Sequence, residues 1–437
     1  MSVSSALGAL VRATSVTLFL GCTAAPAVAQ DAAPPTAETI AVDRAVDEAI
    51  EHNLELLARR VDLSVAEARQ ITAGLRPNPV FSFDADHLDW LGTRFNGINN
   101  GGPREIGWRV DVPVERGSKR ALRVAEAAID RSLAEARLEE AIRMLRQDVE
   151  HACADAVQAA DNLAVARDTL KTFEGLARLN DDRVRAGAAA GYEATRTRVA
   201  LLQYKSTVSR AELDQRAASV RLRQLLGRTP SADPLVVLAA LPIVEDRAVP
   251  QRSSLEALAL AHRPDVRVAR EAEARSTSEL RLQVALGKVD FTWGAEFRRQ
   301  AGPIGLSNSL GLFFSAPLPL FNRNQGEIAR AGAERLQASR TIASAEALAR
   351  AEVQSAFEEF VNARALVTSI ERDLLQPAQA VRETVAYTYR AGASTLVELL
   401  DSQRAWNDTI QSYHQAQADY RRAISHLNAA VGTQVIR

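Results

Sequence analysis

Between Pro113 and Pro230 the chain contains no proline, and from Ser118 to Ala186 its only glycine is Gly175. Backbone that long without a breaker is open to one regular structure, a helix. Within it Leu138, Ile142, Leu145, Val149, Ala152, Ala156, Ala159, Leu163, Ala166, Leu170 and Phe173 recur in alternating steps of four and three. That spacing is a heptad seam and predicts left-handed coiled-coil packing. A helix from about 118 to 185 would be roughly 100 Å long at 1.5 Å per residue, wider than any compact domain. Gly187 then fits a left-handed C-terminal cap, with an antiparallel partner helix after it. A second seam, Ala349, Val353, Ala356, Phe360, Ala363, Val367, Ile370 and Leu374, leads to Gly392 in the same way.

The likeness of the two stretches extends over most of the chain. Arg185-Ala186-Gly187 reappears as Arg390-Ala391-Gly392, Glu193 as Glu398 and Gly227 as Gly432, all at an offset of 205. Ala49, His52 and Phe81 match Ala259, His262 and Phe291 at an offset of 210. The sequence therefore reads as a tandem duplication, with repeats within 30–227 and 253–437. Residues 228–252, with Pro230, Pro234, Pro242 and Pro250, read as a linker. Two copies are too few for a solenoid. Each copy is expected to run helix, two strands, long helix, second helix.

Four alternating segments sit between the helices, at 80–88, 105–114, 289–300 and 307–317. One face of the second carries Ile106, Trp108, Val110 and Val112, the other Gly107, Arg109 and Asp111. The third sets Phe291, Trp293, Ala295 and Phe297 against Thr292, Gly294, Glu296 and Arg298. Such a pattern suits a barrel strand in lipid as well as a half-buried antiparallel sheet. Four strands cannot close a barrel, and an open edge is not tolerated in lipid, so the barrel reading requires several copies.

Chemistry is sparse. The 53 basic and 54 acidic residues leave a net charge of −1, which removes the electrostatic footprint of a nucleic-acid binder. Cys22 and Cys153 are too few for a disulfide framework or a Cys-rich zinc module. The six histidines show no metal-binding spacing, and there is no Walker or GxSxG element. Asp84, Asp86, His87 and Asp89 read as a solvated strand end rather than a cation site. Neither an enzyme nor a resident cofactor or metal is expected. At the amino terminus, residues 1–29 hold no acid and one base, Arg12, then an apolar stretch and Ala27-Val28-Ala29. That is the pattern of an export signal. Leu20-Gly21-Cys22 offers the other reading, lipidation at Cys22.

Ser315-Ala316-Pro317-Leu318-Pro319-Leu320-Phe321-Asn322-Arg323-Asn324-Gln325-Gly326-Glu327 resembles the strand-to-helix junction of TolC-like outer-membrane efflux proteins. Residues 321–327 are particularly similar to the outer-membrane subunits of cobalt-zinc-cadmium and copper efflux systems. Tyr389-Arg390-Ala391-Gly392 and the segment to Arg404 resemble the periplasmic hairpin of that family. The resemblance implies a homotrimer whose twelve strands form one outer-membrane β-barrel over a periplasmic α-barrel. It implies docking to a periplasmic adaptor and an inner-membrane resistance-nodulation-division (RND) pump through tips at Arg185, Gly187, Arg390 and Gly392. Glu383 falls where the family pattern puts an acidic gate residue, with Asp181 and Asp182 as the candidates of the first copy. A solvated helix face is the other reading of Glu383, and Ala386 stands where a second acid would be expected. A drug-efflux or protein-secretion duct, an exported coiled-coil scaffold and a secreted enzyme are the competing functions.

Overall fold

The computed structural model describes residues 38–88, 90, 104–229, 231, 235–238, 251–302 and 305–436. The expected export signal, Cys22, Asp89 and most of the loop holding Gly92, Gly97, Gly101 and Gly102 lie outside them. Its elements run β1 (Glu38–Ala41), α1 (Val42–His52), α2 (Leu54–Ala73), β2 (Val80–Asp86), β3 (Glu105–Val114), α3 (Lys119–Arg185) and α4 (Gly191–Leu225). They continue with β4 (Leu235–Leu238), α5 (Arg252–His262), α6 (Pro264–Leu286), β5 (Phe291–Gly302), β6 (Gly305–Ser315), α7 (Gln325–Ser369), a π-helical turn (Ile370–Leu375), α8 (Gln376–Arg390) and α9 (Leu396–Val431).

The expected long helix is α3, 67 residues in one piece. All eleven residues of its seam are buried or half-buried. The cap is a Schellman turn: Gly187 has φ +71°, its N–H reaches the Val184 carbonyl at 3.0 Å, and that of Ala188 reaches Arg183 at 2.8 Å. Gly392 repeats it at φ +78° with bonds to Tyr389 and Thr388.

The second seam holds from Ala349 to Ile370 and then breaks. Leu374 is exposed, and Leu375 packs on the core in its place. The cause is the π turn at 370–375, which takes in an extra residue and lengthens one seam step to five. Pro377 follows; in a regular α-helix its ring would press on the carbonyl four residues back, at Asp373.

Two further expectations need correction. Each long hairpin is preceded by two helices rather than one, because the chain turns sharply at Asn53 and at Arg263, both in extended conformation. Residues 228–252 are not all linker. The run Leu235–Leu238 forms β4, which pairs in parallel with β1, Glu38 opposite Leu235. Its flanking prolines mask a strand of only four residues.

The two corners are built alike. Asn53 Nδ2 donates to the Leu225 carbonyl at 2.9 Å, and Arg263 Nη1 donates to that of Ala430 at 3.1 Å. Arg263 also grips Asp265 with two N–H donors, at 2.9 and 2.7 Å, and lies 2.6 Å from Glu352 on α7. Against these corners press Gly227 and Gly432, at φ +71° and +78°. Each corner serves its own core. One contains Val46, Ala49, Val149, Ala152 and Leu222. The other contains Leu255, Ala259, Val353, Ala356 and Leu427.

Candidate functional site

The second sheet is antiparallel in the order β2-β3-β5-β6. Its register sets Phe81 opposite Val110, Val110 opposite Ala295, and Ala295 opposite Leu312. One row down, Phe83, Trp108, Phe297 and Leu310 align. The alternation expected of the separate strands thus adds up to one largely apolar face, broken in the row of Ile106 by Arg299 and Asn308. Aromatic pairs brace it: Phe83–Trp108 at 6.0 Å between ring centroids, Trp108–Phe297 at 5.7 Å and Trp293–Phe314 at 4.9 Å. The described residues do not bury these rings; Phe83, Trp293 and Phe297 are exposed.

The opposite face is polar and charged. Arg298 lies 2.6 Å from Glu105, 2.7 Å from Glu296 and 3.5 Å from Asp84. Arg109 pairs with Asp111 at 2.8 Å and stacks on Phe313 at 4.2 Å. Asp84 and Asp86 therefore look onto Arg298 rather than onto one another alone. Among the described residues no cluster of three or more His, Cys, Asp or Glu is placed to hold a metal ion. His151 and Cys153 point apart on α3. The His151 ring meets the Arg422 carbonyl, while Cys153 sits in the core, where burial pushes its thiol up to about 12.

At the far ends of the hairpins the structure joins the two copies through residues the sequence did not single out as a group. Tyr389 Oη donates to Asn180 Oδ1 at 2.8 Å, and Asn180 Nδ2 donates to Thr197 Oγ1 at 2.8 Å. Both Asn180 and Thr197 are fully buried, and Arg183 lies over the Tyr389 ring. Leu396 and Leu399 pack beside this tyrosine. A polar Asn in a seam position is the one signal the sequence offered for this contact.

The gate candidates are not brought together within the chain. Glu383 is 60% exposed, accepts from Gln379 at 2.9 Å and lies 3.8 Å from Arg382. Arg382 itself stacks on Trp406 of α9 at 4.7 Å. Asp181 pairs with Arg198 at 2.8 Å and Asp182 with Arg185. Arg390 and both tip glycines are exposed, and a Cβ added at Gly187 or Gly392 would meet open space.

A further acidic group lies nearer the sheet. Glu126 of α3 is buried against Glu279 of α6, with Arg275 at 3.4 Å. Burial first, then the hydrogen bond and charge of Glu279, push the Glu126 carboxyl up to about 7. A carboxyl raised from 4.5 stabilises the fold fully below pH 4.5 and loses that contribution as the pH rises through 7. Glu126→Gln keeps a neutral hydrogen-bonding group, so its melting temperature should change less between pH 5 and 8 than that of the parent. At pH 8 the variant should be more stable by about 1 kcal/mol, a value already reduced for solvent screening. Parallel melting curves for both proteins across that range test the sign.

The family model for outer membrane efflux proteins matches residues 45–228 and 255–433. Nodulation protein T of Rhizobium leguminosarum bv. trifolii is 23% identical over 408 residues, covering 89% of this chain and 84% of that protein. A membrane protein from Pseudomonas aeruginosa superposes with a TM-score of 0.74 at 20% identity, over 90% of each chain. CusC gives 0.73 at 16% identity, over 90% of this chain and 92% of its own. The CmeC outer membrane channel of Campylobacter jejuni gives 0.70 at 15%, over 91% and 87%.

Proposed function

Because the chain belongs to the outer membrane efflux protein family, we propose that it is the exit channel of a tripartite efflux system. It works as a homotrimer that conducts cargo passively from a periplasmic adaptor and an RND-type inner-membrane pump. The protein is an outer-membrane component and not an enzyme. The observation that carries the channel reading is the four-stranded sheet, mainly apolar on one face, where Arg299 and Asn308 sit toward one end, and mainly polar on the other, with β2 and β6 as open edges. Pairing β6 of one copy with β2 of the next closes a twelve-stranded barrel and satisfies both edges in lipid.

Energy must come from a partner, since a conduit needs only a lipid belt, a wet lumen and a gate. Heavy-metal cations are the cargo we favour. The likeness of residues 321–327 supports this, as does the polar sheet face, where Asp84, Asp86, Glu105, Asp111 and Glu296 outnumber Arg109 and Arg298. The repeat reading, with copies at 30–227 and 253–437, is supported by the recurrence of helical corners and glycine caps. Native mass measurement in detergent tests assembly, and planar-bilayer recording tests conduction. A monomer, or a trimer without conductance, overturns the proposal.

Gating at Glu383 has its own test. Three copies around one axis would crowd like charges, which bound cations would relieve. Glu383→Ala should then raise resting conductance or weaken block by divalent ions. No change in either would assign Glu383 to a solvated helix face and move the search to Asp181 and Asp182.

A further inference from the structure

The two strand-to-helix corners differ in length and in character. In the first copy, residues 115–117 join β3 to Ser118, which has φ +60° and opens α3. In the second, residues 316–323 join β6 to Asn324, which has φ +64° and opens α7. Three polar or small residues, Glu115, Arg116 and Gly117, thus correspond to eight, among them Leu318, Leu320 and Phe321. These three side chains are 79%, 68% and 91% exposed. Water does not favour such a display, and no other described residue covers it.

The segment is nonetheless held in shape. Pro317 and Pro319 fix the backbone, the Leu320 N–H reaches the Leu318 carbonyl at 2.9 Å, and Arg323 Nε donates to the Pro319 carbonyl at 3.1 Å. Two of its residues have no N–H to leave unsatisfied at an apolar boundary. The segment follows directly on β6, whose Leu306, Leu310, Leu312 and Phe314 belong to the apolar sheet face. Exposed Arg116, Lys288 and Arg323 stand at the same level: Lys288 lies beside Gly117, and the Arg323 carbonyl beside Gly287. Apolar side chains bordered by arginine and lysine match the boundary between acyl chains and lipid phosphates.

We propose that residues 316–321 form a lipid-inserted collar, seating Leu318, Leu320 and Phe321 in the periplasmic-side leaflet just below the barrel. The proposal rests on the reading that the apolar sheet face meets lipid. It makes the second copy alone the anchor, so a trimer would carry three collars alternating with three short polar corners.

Spin labels at Phe321→Cys, Leu318→Cys and Leu312→Cys test it in the full chain reconstituted in phosphatidylethanolamine–phosphatidylglycerol vesicles. The unmodified chain, labelled in parallel, supplies the background from Cys22 and Cys153. At all three sites collisions with oxygen should exceed those with nickel–EDDA, with the ratio at 318 and 321 lower than at 312. A lipid signal at 312 with nickel access at 318 and 321 overturns the collar and leaves the barrel reading standing. Loss of access to both reagents at 318 and 321 does the same, by giving these side chains to a neighbouring copy. A non-lipid signal at 312 overturns the sheet reading itself, and the collar with it.

Discussion

Gly227→Ala and Gly432→Ala should clearly destabilise the helical corners at Asn53 and Arg263, whereas the same change at Gly187 or Gly392 should be mild. All four glycines have φ between +71° and +78°, so the left-handed backbone penalty of about 1–2 kcal/mol is common to them. Their surroundings separate them. A Cβ at Gly227 would overlap the His52 carbonyl oxygen and sit 2.8 Å from its carbon; at Gly432 it would lie 3.1 Å from backbone atoms of Arg263. Neither obstacle is a side chain that can swing aside. Overpacking adds about 1–3 kcal/mol to the backbone penalty, and Gly227→Ala, with the closer approach, should lose about 3 kcal/mol or more. Urea unfolding followed by circular dichroism compares the four variants directly. Equal losses at corners and tips would mean that close packing at the corners is not what fixes these residues. For function the same series separates fold from docking: adaptor crosslinking reduced only by the tip variants would support Gly187 and Gly392 as contact points.

Arg263→Ala should be as damaging, by a different route. The side chain is 1% exposed and bonds Asp265, Glu352 and the Ala430 carbonyl, joining α6, α7 and α9 at one point. Removing it leaves two partly exposed carboxylates and a carbonyl without their donor, at a cost of about 2–3 kcal/mol. Arg263→Lys should recover only part, since an ammonium cannot donate side by side to both Asp265 oxygens. Melting temperatures of the two variants test the order. A Lys variant equal to the parent would mean that charge alone, not the fork of donors, holds the corner.

The sequence carried its clearest information where structure repeats along the chain. The seam of α3 and the glycines at 187 and 392 were legible because a helix announces itself through periodicity and its end through one permissive residue. The alternation of β3 and β5 was legible for the same reason. What escaped was local irregularity and distant contact. Strand β4 is four residues long, too short for a period to show between Pro234 and Pro242. The pairing of Tyr389 with Asn180 spans 209 positions, and that of Glu126 with Glu279 joins helices from different copies. Arg263 gave no sign of being a clamp, because its three partners, Asp265, Glu352 and Ala430, are far apart in sequence. The gate candidates remain proposals for a related reason. Among the described residues Glu383 and Asp182 pair with neighbours a few positions away, and a gate is a property of several chains.

The π turn at 370–375 bears on how the two halves have kept in step. Up to Ile370 the buried seam of α7 matches that of α3 at an offset of 204, Val149 with Val353 and Ala166 with Ile370. From Leu375 onward the offset is 205, Leu170 with Leu375 and Val184 with Tyr389. One residue has therefore entered a rod that offers no loop to receive it. In a regular helix that residue would turn everything downstream by about 100° and present the wrong side chains to α9. A single wide turn absorbs the phase error where it arises, and the hairpin tip arrives in the same orientation as its counterpart. Two arms of one chain can thus drift in length and still meet at the same plane, which a ring built from alternating copies requires of them.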